Sequence, residues 1–356
     1  MPTSRRTIFR ILIPLLFAAT LPAAERTIER SYWLHASLGL FTQKNYFGPD
    51  FPATTAPTTR EIEHAAEWLT GHGGANRLYL IFHREIPDEE ALRVFRDWRA
   101  AVPPSVELIP ALVTRMYDDA QTPLFAPEEL DSFLARLREV VPSDSIALYD
   151  IAPKRDHTAF TGILTKHYPG GLIRLGLQPG EPIETPFRFA VQDTWSAFCH
   201  GSDNERDWQQ PGFGAETLRN WVVERNGGNA PLAWDLVVVA WDYSATERGG
   251  FPGYDDAEKN DPLPAGRNLA ARDLIRELAE PRVFGGFSSD LYILHENSRS
   301  APHDGKEGSF YECLKRGEDY AGFYGVPLRE IAGIYRELRD GTGVQARTPA
   351  SSPPQP

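Results

Sequence analysis

Short runs of β-branched, leucine and aromatic residues recur along the chain, separated by stretches whose apolar residues return every three or four positions. The runs predict strands at Tyr32–Leu38, Arg77–Phe82, Val106–Val113, Ser145–Tyr149, Leu172–Leu177, Phe187–Val191 and Leu236–Trp241, with an eighth inside Val283–Leu294. The stretches between them read as helices. Thr59–Leu69 carries Ile62, Ala65, Ala66 and Leu69 on one face behind a threonine cap. Asp88–Ala101 carries Leu92, Phe95, Trp98 and Arg99, with Asp88 expected as the cap after Pro87. Pro127–Val141 opens on a proline suited to a first helical turn and carries Leu130, Phe133, Leu134, Leu137 and Val140. Thr158–His167, Ala215–Arg225 and Asn268–Leu278 follow the same plan, and two more helical pieces are expected within Phe310–Leu338.

Strands separated by helices of this length signal βαβ units and a parallel sheet. Seven or eight such units point to an α/β fold of the (β/α)8 TIM-barrel type. Loop lengths point the same way. Helix-to-strand connections are short and rich in Gly and Pro, as in Pro169-Gly170-Gly171, whereas the strand-to-helix segments Gly39–Pro57, Trp195–Gly214 and Ser244–Gly266 are long. Long loops on the C-terminal rim are expected where a barrel carries its site. A doubly wound open sheet is the alternative, but no glycine-rich phosphate loop follows the first strand.

The two ends of the chain differ from this pattern. Arg5, Arg6 and Arg10 precede an apolar stretch, Ile11–Ala19, and small residues follow at Ala23 and Ala24. That order is a secretory signal peptide, and the stretch is shorter than the roughly 20 residues that span a bilayer. Residues 1–24 are therefore expected to be removed, residues 25–343 to form one barrel domain and residues 344–356 to be a disordered tail. The mature protein is expected in the periplasm or outside the cell, with no membrane anchor beyond the signal. The adjacent arginines also fit a twin-arginine signal, though an ordinary charged segment is favoured.

Composition narrows the partners. A net charge of −12 without a basic cluster beyond the signal argues against nucleic acid. Cys199 and Cys313 are the two cysteines; they could pair or stay apart, and neither has zinc-ligand spacing. No cofactor and no metal is expected. The acidic segment Gly253–Asp261 lacks the placement of a Ca²⁺ loop and reads as solvated. His83-Arg84-Glu85 could belong to a metal-dependent phosphodiesterase, but no further ligands stand in register with it. Ser196, Ser288 and Ser289 lack a nucleophile elbow.

Three strand ends place a carboxylate directly after an apolar run: Asp150 after Leu148-Tyr149, Asp193 after Val191-Gln192, and Asp242 after Ala240-Trp241. Glycosidic bonds are cleaved by two carboxyl groups, one protonated and one ionised, so a rim of this kind suits carbohydrate chemistry. Aromatic rings offer flat faces to sugars. Trp195, Trp241 and Tyr243 are expected to stack on the substrate, with His83, Arg115, Tyr117, Gln192 and Asn297 binding its hydroxyls.

Asp150 on strand four and Asp242 on strand seven resemble the acid/base and nucleophile positions of the large clan of retaining glycoside hydrolase barrels. That clan normally uses glutamate, often after asparagine on strand four, where this chain has Tyr149-Asp150. The Gln192-Asp193 ending also resembles glycosidase-like bacterial barrels of unassigned activity. The resemblance implies a glycoside hydrolase with Asp242 as nucleophile, Asp150 as acid/base and Asp193 as substitute for either. A non-catalytic barrel that binds glycan or another exported partner is the alternative.

Overall fold

The computed structural model describes residues 28–38, 55–115, 122–149, 158–175, 187–191, 235–239, 286–290, 310–317 and 325–341. Eight strands run through them: β1 (Glu29–His35), β2 (Arg77–Phe82), β3 (Glu107–Leu112), β4 (Ser145–Leu148), β5 (Gly171–Leu175), β6 (Phe187–Val191), β7 (Asp235–Val239) and β8 (Gly286–Asp290). Each pairs in parallel with the next, and β8 pairs with β1, so the sheet curls into a closed barrel. The α/β class and the parallel, curled sheet expected from the strand spacing are present. The helices Ala215–Arg225 and Asn268–Leu278 lie outside the described residues, as do the signal peptide, the tail and, apart from residues 55–57, the long strand-to-helix loops.

Among the described residues six helices flank the strands: α1 (Thr59–Glu67), α2 (Asp88–Ala101), α3 (Pro127–Val140), α4 (Thr158–His167), α5 (Phe310–Arg316) and α6 (Gly325–Asp340). In α1 the expected threonine cap is Thr58. Its hydroxyl accepts from the Glu61 N–H, and the Glu61 carboxylate accepts from the Thr58 N–H at 2.6 Å, a reciprocal capping box. The helix then widens into a π-helical turn, Trp68–His72. The expectation that Asp88 caps α2 is corrected. Pro87 holds the extended cap conformation, and Asp88 is the first helical residue. There it joins Glu89 and Glu90 in placing negative charge on the positive end of the helix dipole.

The period-2 alternation of β1 decides what faces which way. Tyr32 points to the helices, its hydroxyl donating to Gly73 O at 2.8 Å. Ser31 and Trp33 point into the barrel, where Ser31 Oγ meets Ser288 Oγ and Trp33 stacks on Tyr79 with ring centroids 3.9 Å apart. Outside the sheet, Phe82 packs against Phe95 of α2 and Phe133 of α3. Trp98, fully buried on α2, donates from its indole nitrogen to Ala36 O at 2.8 Å and so pins the end of β1. The last helix closes the ring, with the Tyr335 hydroxyl 3.0 Å from both Ser31 O and Phe287 O at the β1–β8 seam.

Charged side chains meet at the N-terminal mouth of the barrel. Arg77 reaches both Glu29 and Glu107, and Arg188 of β6 donates to Glu29 at 2.7 Å. Burial alone would raise the Glu29 carboxyl, but Arg77 and Arg188 beside it hold it below its ordinary value. A cleft of about 680 Å³ opens at this end, lined in part by Arg30, Asn76, Arg77, Glu107 and Arg339. Among the described residues no helix is long and apolar enough to cross a membrane.

Candidate functional site

Parallel strands deliver all their C-terminal ends to one rim, and four aromatic side chains among the described residues gather there. His35 is the last residue of β1, and His83 follows β2. Tyr149 follows β4, its N–H still donating to Leu112 O at 2.9 Å and so prolonging the ladder by one residue. The His35 and His83 rings stack with centroids 5.1 Å apart. The Tyr149 ring lies 6.2 Å from His83 and 6.1 Å from Trp33, which joins the group to the barrel interior. Tyr311 of α5 completes it, edge-on to His35 at 6.1 Å, with its hydroxyl accepting the His35 backbone N–H at 3.0 Å. Both histidines are buried.

Among the described residues the backbone at this rim is strained in two places. Leu38 and Arg84 have φ of 47° and 58°, a left-handed region that non-glycine residues enter at a cost of about 1–2 kcal/mol. Leu38 closes a tight turn in which its N–H donates to His35 O at 3.0 Å. Arg84 is held by its side chain. It donates to Leu124 O and to the Glu129 carboxylate at 2.8 Å each, pairs with Asp88 at 3.4 Å, and lies 4.8 Å above the Phe125 ring.

Because Arg84 turns outward, Glu85 folds back. Its carboxylate accepts the His83 N–H at 2.8 Å and the Ser37 hydroxyl at 3.0 Å, bridging the ends of β1 and β2. Burial pushes the Glu85 carboxyl above its ordinary value, against the pull of the backbone N–H groups of Glu85 and His83 and of Ser37.

Of the residues expected to bind substrate, His83 stands in this cluster. Arg115 follows β3, forms an isolated antiparallel bridge with Pro123, and places its guanidinium 5.5 Å from the centre of the Phe160 ring of α4. Asp150, Asp193, Asp242, Tyr117, Gln192, Trp195, Trp241, Tyr243 and Asn297 lie outside the described residues. No group of three or more His, Cys, Asp or Glu side chains suited to a metal ion occurs among the described residues.

His35, Ser37 and Tyr311 were not expected at the rim. His35 had a signal in the sequence, since it takes the last inward step of the Ser31, Trp33, His35 alternation. Tyr311 had none, because its place depends on where a distant helix docks.

No protein-family model and no curated protein matches the chain. Among solved structures, AmyP in complex with maltose is similar at TM-score 0.48 and 11% identity, over 89% of this chain and 80% of that one. The catalytic domain of a hyperthermophilic chitinase from Pyrococcus furiosus gives 0.45 and 11%, over 88% and 96%. N-acetylneuraminate lyase from Fusobacterium nucleatum gives 0.37 and 10%, over 93% and 94%.

Proposed function

We propose that the chain is an exported carbohydrate-active enzyme built on a full (β/α)8 barrel, a glycoside hydrolase working with paired aspartates on the C-terminal rim. One observation carries the reading: parallel strands in closed order bring their C-terminal ends to the rim where His35, His83 and Tyr149 meet. Asp150 comes next after Tyr149 in the chain, Asp193 follows β6 by two residues, and Asp242 follows β7 by three. His35, His83 and Tyr149 are buried just beneath this rim, so they support the strand ends from which the expected substrate-binding residues would offer the flat faces and hydroxyl partners that sugar rings need.

In this reading Asp242 attacks the anomeric carbon and the C–O bond to the leaving group breaks. Asp150 gives its proton to the departing oxygen, then takes one from the water that releases the sugar from Asp242. Asp193 stands in for either. His83, Arg115, Tyr117, Gln192 and Asn297 bind hydroxyls, and Trp195, Trp241 and Tyr243 stack. Because Asp242 forms a covalent intermediate, this route retains anomeric configuration and needs carboxyl groups ~5–5.5 Å apart; a separation of ~6.5–9.5 Å would instead make one carboxylate the base for an attacking water and invert it.

The test is turnover of an oligosaccharide and aryl-glycoside panel by the mature chain. A cleaved substrate whose turnover is abolished in Asp242→Asn, while binding persists, supports the proposal. Cleavage that survives in both Asp242→Asn and Asp150→Asn overturns the aspartate pair, and binding without cleavage leaves a glycan-binding barrel. Export is tested by fusing residues 1–30 to a reporter, which should cross the inner membrane and be cleaved near Ala24.

A further inference from the structure

We propose that Glu85 is a positioning residue that fixes His83 at the rim by tying the end of β2 to the end of β1. The inference rests on the reading that His83 belongs to the substrate site, and it adds a residue to which that reading gives no role.

Three observations converge on it. First, Glu85 is bonded to both strand ends, to His83 through the backbone N–H and to Ser37 through the hydroxyl. Second, the residue between His83 and Glu85, Arg84, is held in a left-handed conformation that non-glycine residues enter at a cost. Arg84 has no contact of its own with the histidines among those described; its guanidinium is spent on Leu124 O, Glu129 and Asp88, outside the rim. A strained residue clamped from outside, between two residues facing the rim, is a device for aiming its neighbours. Third, His83 lies between the His35 and Tyr149 rings, so a small displacement of its backbone would disturb both contacts. Misplacing a substrate-binding group by about 1 Å can cost two orders of magnitude in rate.

The experiment follows the histidine side-chain signals by NMR in the full mature chain. His64, bonded to Lys315 O, and His167, bonded to Asp131, serve as internal references. In Glu85→Ala the His83 and His35 signals should shift while those of His64 and His167 stay in place. Glu85→Gln, which keeps the shape and one acceptor, should restore part of the shift. Ser37→Ala removes only the β1 tether and should move the same two signals less; it carries the test if Glu85→Ala fails to fold. Unmoved His83 and His35 signals in a folded Glu85 or Ser37 variant overturn the proposal. Shifted signals with unchanged glycan turnover uphold Glu85 as a positioning residue and remove His83 from the substrate site.

Discussion

Replacing Arg77 with methionine should destabilise the barrel by about 2–3 kcal/mol at neutral pH. The Arg77 side chain is only 9% exposed and serves two carboxylates, Glu29 at 26% and Glu107 at 46%. Removing one partner of a buried ion pair costs about 3–5 kcal/mol, because the other charge is left without compensation. Here the cost is smaller: Glu107 can turn to water, and Glu29 keeps Arg188 at 2.7 Å. In a domain of this size 1 kcal/mol moves the melting temperature by roughly 2 °C, so a fall of about 5 °C is expected. The pH dependence has a definite sign. The folded-state pKa of Glu29 is depressed, so its contribution is present above the unfolded value of about 4.3 and is lost as pH falls through the folded value. The gap between wild type and Arg77→Met, measured by urea unfolding from pH 7 down to pH 3, should therefore narrow at the acid end. A loss under about 1 kcal/mol at pH 7, or a gap that stays constant with pH, would show that Arg77 does not hold the Glu29 and Glu107 carboxylates in this way.

Two further substitutions probe the helices. Thr58→Ala removes the hydroxyl that caps α1 and should cost about 1 kcal/mol, seen as faster amide exchange in the first turn; Thr58→Ser should leave it unchanged. Gly74 has φ of +67°, and a Cβ there would lie 3.2 Å from the backbone of Tyr335 and Arg336, so Gly74→Ala should cost at least about 1–2 kcal/mol. Exchange protection in α6 should fall with it, whereas loss confined to the Gly74 loop would mean that α6 is held elsewhere.

The elements that read cleanly in the sequence are those where periodicity and burial agree. Ile62, Ala65 and Ala66 in α1, and Leu130, Phe133, Leu134 and Leu137 in α3, are buried as their spacing implies. Arg77–Phe82 and Phe187–Val191 are strands with the expected bounds. β1 starts earlier than expected, at Glu29, because Glu29 and Arg30 look like solvent-facing residues. The interior of a barrel mouth accepts charge when opposite charges from other strands meet it, and those partners, Arg77, Glu107 and Arg188, are brought together only by closure. The same limit applies at the opposite rim. His83 was legible as a strand-end residue, but the link from Glu85 to Ser37 joins two strands 48 residues apart and depends on a left-handed arginine, which no local pattern announces.

The proposed function places carbohydrate at the C-terminal rim rather than in the charged cleft at the opposite mouth. Isotope-labelled protein titrated with an oligosaccharide hit from the glycan panel tests it most directly. Saturable shifts are expected in the side-chain signals of His35, His83 and Tyr149, with the Glu29–Arg77 end unchanged. Shifts confined to residues around Arg30, Asn76 and Arg339, or saturable binding that leaves His35, His83 and Tyr149 unmoved, would contradict it.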